Sequence, residues 1–111
     1  MIQKEHLWDK LNSIKARPWQ ALDIAIFNNH KIRLGFFKGE YGWHKHDNAD
    51  EFFLVMKGKI TIHLKNSDLV LEKYDYAVLP KGTAHNLSSS AGAFVIVVEP
   101  VHLQTTMTGK S

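Results

Sequence analysis

Apolar residues follow a helical period at the start of the chain and a period of two after it. Leu7, Leu11 and Ile14 recur at i, i+4 and i+7 among Lys4, Glu5, Asp9 and Lys10. That spacing predicts a short amphipathic helix over the first fourteen residues, with Trp8 widening its apolar face. Pro18 stops any helix before it. Residues 21–27 and 32–38 are β-rich runs separated by Asn28, Asn29, His30 and Lys31, the pattern of a hairpin. Further strands are predicted over 51–56, 59–64, 69–71, 76–79 and 94–98. The turns between them are expected at Lys57–Gly58, 66–68 and 88–92, with a loop at 80–85. In 59–64, Ile60, Ile62 and Leu64 share one face and Lys59, Thr61 and His63 the other. Short strands at such intervals predict an all-β sandwich or barrel.

Two stretches bear on how the chain is organised. Residues 94–98 are apolar on both faces. One face should fill a barrel, and the other must be covered by a second sheet or a second subunit. Beyond Pro100 the chain is polar and is expected to be loosely held. The expected division is an N-terminal helical segment at 1–18, a barrel at 19–101 and a tail at 102–111.

Composition narrows the class. A chain of 111 residues that is 44% hydrophobic and 23% charged is the size and make-up of one globular domain, not of a disordered or collagen-like chain. With no cysteine, disulfide frameworks and thiolate chemistry are excluded, and any metal must be held by nitrogen and oxygen. No apolar run is long enough to span a membrane, and the first residues lack the apolar core of a signal peptide, so a cytoplasmic protein is expected. Fourteen basic residues face eleven acidic ones and are scattered, which does not make a nucleic-acid surface.

The chemistry lies in the histidines. His44 and His46 are two apart, so on a strand both imidazoles face one point. The chain turns through four residues and returns at Glu51, whose carboxylate can face that point while Asp50 faces away. A fourth group comes from Pro80-Lys81-Gly82-Thr83-Ala84-His85, where proline stiffens the entry and glycine permits the turn. Three imidazoles and one carboxylate suit Fe(II), Mn(II), Ni(II), Co(II) or Zn(II). The other histidines, His6, His30, His63 and His102, are read as polar surface residues, with capping of the barrel mouth as the alternative for His102.

His44-x-His46-x4-Glu51-x6-Gly58 resembles the first cupin motif, and Pro80-x-Gly82-x2-His85 resembles the second. The local phrasing resembles short cupins of the mannose-6-phosphate-isomerase-like group. The resemblance spans residues 24–100. It implies a double-stranded β-helix (jelly-roll) barrel with a divalent transition metal inside, held by His44, His46, Glu51 and His85. The chain departs from the motifs at turn positions: Lys38 and Tyr74 stand where a glycine is usual, and Ser89 where an asparagine is frequent.

Two functions fit these residues. One is a metal-dependent enzyme of dioxygenase or isomerase type acting on a small molecule in the barrel, with Glu51 also able to detach and act as a base. The other is a non-catalytic module that binds a small, sugar-like ligand. A second acid–base group beside the metal would favour the enzyme. Tyr41, Tyr74, Tyr76 and His63 are the candidates for it. A homodimer is expected, because residues 94–98 and the helix carry more apolar surface than one barrel interior hides.

Overall fold

The computed structural model describes residues 1–14 and 17–109; residues 15–16 and 110–111 of the two terminal segments lie outside it. One helix, α1 (Leu7–Ile14), precedes nine strands: β1 (Ala21–Phe27), β2 (His30–Glu40), β3 (His44–Lys45), β4 (Glu51–Lys57), β5 (Ile60–His63), β6 (Asp68–Leu71), β7 (Tyr76–Leu79), β8 (Asn86–Pro100) and β9 (Thr106–Met107). The all-β class and the jelly-roll expectation hold. Strands β1-β2-β8-β4-β7 lie side by side, β5 pairs with both β6 and β8, and β3 pairs with β9. Among the described residues the ladders do not close into one continuous barrel. No described helix is long and apolar enough to cross a membrane.

Strands β4 and β5 obey the period of two that their sequence shows. In β4, Glu51, Phe53 and Val55 are buried and alternate with half-buried Phe52, Leu54 and Met56. The inner faces of β2, β4, β5, β6, β7 and β8 together form one core, which includes Phe37, Phe53, Val55, Ile62, Leu79 and Val95. The hairpin between β1 and β2 is tighter than the four-residue separation predicted. Phe27 pairs with His30, leaving Asn28 and Asn29 as the turn, and Asn28 takes the positive φ of 53° that such two-residue turns need.

The helix is shorter than expected and begins at Leu7, so Lys4 and Glu5 precede it. Its face is built by Leu11 and Ile14, which pack with Leu34 and Phe94 and draw in Leu7, Phe36 and Ile96. Burying Leu11 and Ile14 stabilises the docking by about 1.5–3 kcal/mol per side chain. Trp8 does not join this face and stays 43% exposed. The helix thus lies on the outer side of β8, and Phe94 and Ile96 are covered by the chain's own N-terminal segment.

Two expectations are corrected. Residues 88–92 are not a turn that ends a strand: β8 runs through them as a bulge. On its β2 side the register steps from Phe37↔Ala93 to Gly39↔Ser89, so Ser90, Ala91 and Gly92 face a single residue, Lys38. Gly92 bends the backbone there with a φ of 97°, and the ladder resumes on both sides. The tail is also not loose. Thr106–Met107 pairs with His44–Lys45, and Asn48 holds it from the side, donating to the His102 carbonyl and accepting from the Gln104 amide.

The departures at glycine positions are absorbed locally. Tyr74 takes the left-handed conformation itself, at φ 72°, and its amide bonds to the Val55 carbonyl. Gly39, one residue after Lys38, supplies the positive φ of the first motif at 80°.

Candidate metal centre

The two motifs are stitched together by backbone before any side chain is considered. His44 and His85 exchange amide–carbonyl bonds of 2.9 Å in both directions. The Gly82 amide donates to the His46 carbonyl at 2.7 Å, and Gly82 has the φ of 81° that lets the loop turn inward. Asp50, facing away as expected, accepts from the Lys81 amide at 2.8 Å. The loop that carries His85 is thereby tied to the loop between His46 and Glu51.

His44, His46 and His85 are all buried, and their ligand atoms lie within 4.8 Å of one another. Each ring is oriented through Nδ1. That atom faces the Gly42 carbonyl in His44 at 2.9 Å, the Gln104 carbonyl in His46 at 3.0 Å and the Thr83 carbonyl in His85 at 2.9 Å. A carbonyl only accepts, so Nδ1 carries the hydrogen in all three rings and Nε2 keeps its lone pair. Two of these anchors are local, from the residue two before the histidine. The third comes from the tail, so residues 102–109 help set the donor at His46.

Nε2 of His46 and Nε2 of His85 are buried with no hydrogen-bond partner. Leaving two such acceptors unpaired costs about 1–3 kcal/mol each, a cost that a cation between them would remove. The donor set therefore fits a divalent metal. Glu51 lies next to this group: its carboxylate is 8% exposed and 3.3 Å from His46 Nε2. It stands outside the trio whose ligand atoms are all mutually close.

Protonation states divide accordingly. Burial pushes His85 down to about 4, against the opposing pull of the Thr83 carbonyl. Burial also lowers His44. In His46 burial works the same way but is outweighed by the neighbouring Glu51 carboxylate, whose charge favours the protonated ring and raises its pKa.

A cavity of about 180 Å³ opens onto His44, His46 and Glu51. Its apolar wall includes Trp19, Phe37 and Phe53, and the tail supplies Leu103 and Thr105. Of the expected acid–base candidates, Tyr41 lies on this cavity, its ring 4.7 Å from that of His44. Tyr74 and Tyr76 are exposed on the surface, and His63 faces the outside of β5. His102 does not cap the mouth; its side chain is exposed.

The cavity also holds a pair that the sequence reading passed over. Glu99 is only 5% exposed, and Arg33 Nη1 lies 3.6 Å from its carboxylate. Burial raises the Glu99 pKa, the nearby Glu51 charge raises it further, and Arg33 and Lys31 pull the other way. Arg33 also donates to Asp23 through Nε at 2.8 Å, which fixes the guanidinium between two carboxylates. Strand parity is the signal that finds Glu99: it lies two after Val97 and four after Val95, both on the inner face.

A jelly roll that brings together three buried, pre-oriented imidazoles able to hold a metal ion defines the class of protein. The particular family follows from comparison: residues 37–99 match the profile described as Cupin domain, and the chain belongs to that family. It is 36% identical over 106 residues to the uncharacterized protein YdbB of Bacillus subtilis, covering 95% of this chain and 93% of that one. It is 28% identical over 102 residues to the putative dioxygenase SSO1533 of Saccharolobus solfataricus, covering 86% of this chain but only 27% of that protein. In structure it is similar to a cupin-2 domain containing protein from Shewanella frigidimarina, with a TM-score of 0.83 and 28% identity. That similarity covers 86% of this chain and 93% of the other. These matches establish the family and do not reach the mannose-6-phosphate-isomerase-like subgroup.

Proposed function

We propose that the protein is a divalent-metal-dependent enzyme, of dioxygenase or isomerase type, acting on a small molecule in the cavity. His44, His46, His85 and Glu51 would hold the metal, and Glu51 would also serve as a base. Bound there, a divalent metal supplies Lewis-acid polarisation of a carbonyl or hydroxyl oxygen. The residues around it do the rest. The carbonyls of Gly42, Gln104 and Thr83 keep the imidazoles oriented. Trp19, Phe37 and Phe53 keep water off the bound molecule. Glu99 can take or give a proton at its carboxyl oxygen, with Arg33 fixing its position.

The observation that carries this reading is Glu99: a buried carboxylate that is not one of the four proposed ligands, in the same cavity as His44, His46 and Glu51. A second acid–base group beside the proposed metal is the feature that favours an enzyme over a module that only holds a ligand. The relation to a putative dioxygenase favours the oxygenase branch. The test pairs two variants of untagged protein. His46→Ala should lose most of its bound metal by elemental analysis. Glu99→Gln should keep the metal yet slow turnover by at least about a hundredfold, the scale of a general acid–base contribution. Oxygen uptake separates oxygenase from isomerase. Metal retained with no turnover across small hydroxy-carbonyl compounds would leave the ligand-binding module as the function.

A homodimer is proposed on narrower grounds than the sequence offers, since the helix already covers Phe94 and Ile96. The apolar side chains still exposed include Ile26 and Phe27 at the β1 end and Tyr76 and Val78 on β7.

A further inference from the structure

On the outer side of the sheet, away from the cavity, three residues of different strands meet. His63 ends β5, Asp68 begins β6 and Ser88 lies in β8. His63 Nδ1 is 2.9 Å from Asp68 Oδ1, and His63 Nε2 is 2.7 Å from Ser88 Oγ. A carboxylate only accepts, so Nδ1 carries the hydrogen. In the neutral ring Nε2 is then the acceptor for the Ser88 hydroxyl. Nucleophile, base and orienting acid are thus connected in sequence at hydrogen-bonding distance, the arrangement that activates a serine hydroxyl.

The register explains why they meet. Thr61 pairs with Ser88 and His63 with Asn86, so His63 and Ser88 are diagonal neighbours on one face. Asp68 pairs with His63 across the β5–β6 turn. Both His63 and Asp68 line a surface depression of about 500 Å³, whose wall also has Trp43, Leu64 and Lys65.

From this juxtaposition of Ser88, His63 and Asp68 beside an open depression, we propose a second active site that cleaves small carboxylic esters through an acyl-serine. Ser88 Oγ bonds to the ester carbonyl carbon while its proton passes to His63 Nε2. The C–O bond to the alcohol then breaks, and the departing oxygen takes that proton. Water, giving a proton to the same nitrogen, attacks the acyl group, and the proton returns to Ser88 Oγ as the acid leaves. Asp68 is a positioning residue that holds the ring in the productive tautomer. Trp43 and Leu64 are the apolar wall for the acyl group, and Lys65 is the cation available to the carbonyl oxygen as its charge develops.

The test uses the full chain and a fluorophosphonate probe, with the modified residue located by peptide mass spectrometry and p-nitrophenyl acetate hydrolysis followed in parallel. Label should appear at Ser88, and Ser88→Ala should abolish both label and the acetate burst. His63→Gln keeps hydrogen-bonding groups but not the base, and should slow labelling by about a hundredfold. Asp68→Asn should slow it as well, with Asp68→Glu recovering part of the rate, a rescue that a merely structural aspartate would not show. Chelator should leave these rates unchanged, which separates this site from the metal centre. No label at Ser88, or label whose rate ignores His63, would overturn the proposal.

Discussion

In the metal-free protein, mild acid should destabilise the fold through His85, and His85→Gln should remove that sensitivity. His85 is wholly buried. Burial brings its folded pKa to about 4, from 6.5 for the free side chain. Between these values the unfolded chain binds a proton that the folded chain refuses, so stability rises with pH. The contribution is fully present above pH 6.5, falls away as pH drops, and is gone below about 4, where the folded imidazole also charges. At about 1.4 kcal/mol per pKa unit the complete loss is roughly 3 kcal/mol, and roughly 2 kcal/mol is lost by pH 5. With a urea slope of about 1–3 kcal/mol/M, the unfolding midpoint should fall by about 1 M between pH 7.5 and pH 5 in the presence of chelator. His44, lowered by burial, adds in the same direction, whereas His46 and Glu99, both raised, oppose it. The decisive quantity is therefore the difference between wild type and His85→Gln at the two pH values, in which those groups cancel. Glutamine can still donate to the Thr83 carbonyl but does not titrate. An equal drop in both proteins would refute the reasoning.

Three further outcomes are expected. Gly58→Ala should lower the melting temperature by several degrees. Gly58 has a φ of 84°, and an added Cβ would collide with the Gly92 carbonyl oxygen and lie 2.9 Å from Ala93 Cα. The left-handed backbone alone costs about 1–2 kcal/mol, so an unchanged melting curve would contradict the packing described. Metal-loaded protein dialysed at a series of pH values should release its metal between roughly pH 6 and 4, because imidazole must be neutral to ligate; full retention at pH 4 would count against a histidine site. Light scattering at micromolar concentration should return twice the chain mass of 12.7 kDa, and a monomer mass would refute the homodimer.

What could be read from the sequence was what leaves a period. Strands such as β4 and β5 bury one face, so their alternation follows from Phe53 and Val55, or Ile60 and Ile62, facing inward. The four proposed metal residues were legible because their spacing is dictated by strand parity and one tight loop. The long β8 was not, since Ser88–Gly92 has the composition of a turn while its pairing with β2 and β5 is a tertiary matter. The tail was equally hidden: it is held by main-chain bonds and by Asn48, and backbone hydrogen bonding leaves no hydrophobic pattern. Trp8 misled in the opposite way, with the right spacing for the helix face but no place in its contacts.

The geometry of β8 explains how so small a chain has room for both proposed sites. His85 immediately precedes the strand, and Glu99 lies near its far end on the inner face. Successive side chains of a strand point to opposite sides, so Asn86 and Ser88 lie opposite the inward Leu87, Asn86 on the outer depression and Ser88 against His63. A proton acceptor for substrate in the cavity and a nucleophile outside it therefore come from one strand without competing for space. The bulge at residues 90–92 lies between the two stretches, yet the inner parity carries through it, because Leu87 before it and Ala93, Val95, Val97 and Glu99 after it are all buried at alternate positions. The pairings on either side, Gly39↔Ser89 and Phe37↔Ala93, are themselves two residues apart on β2, so that one strand sets the facing of both stretches.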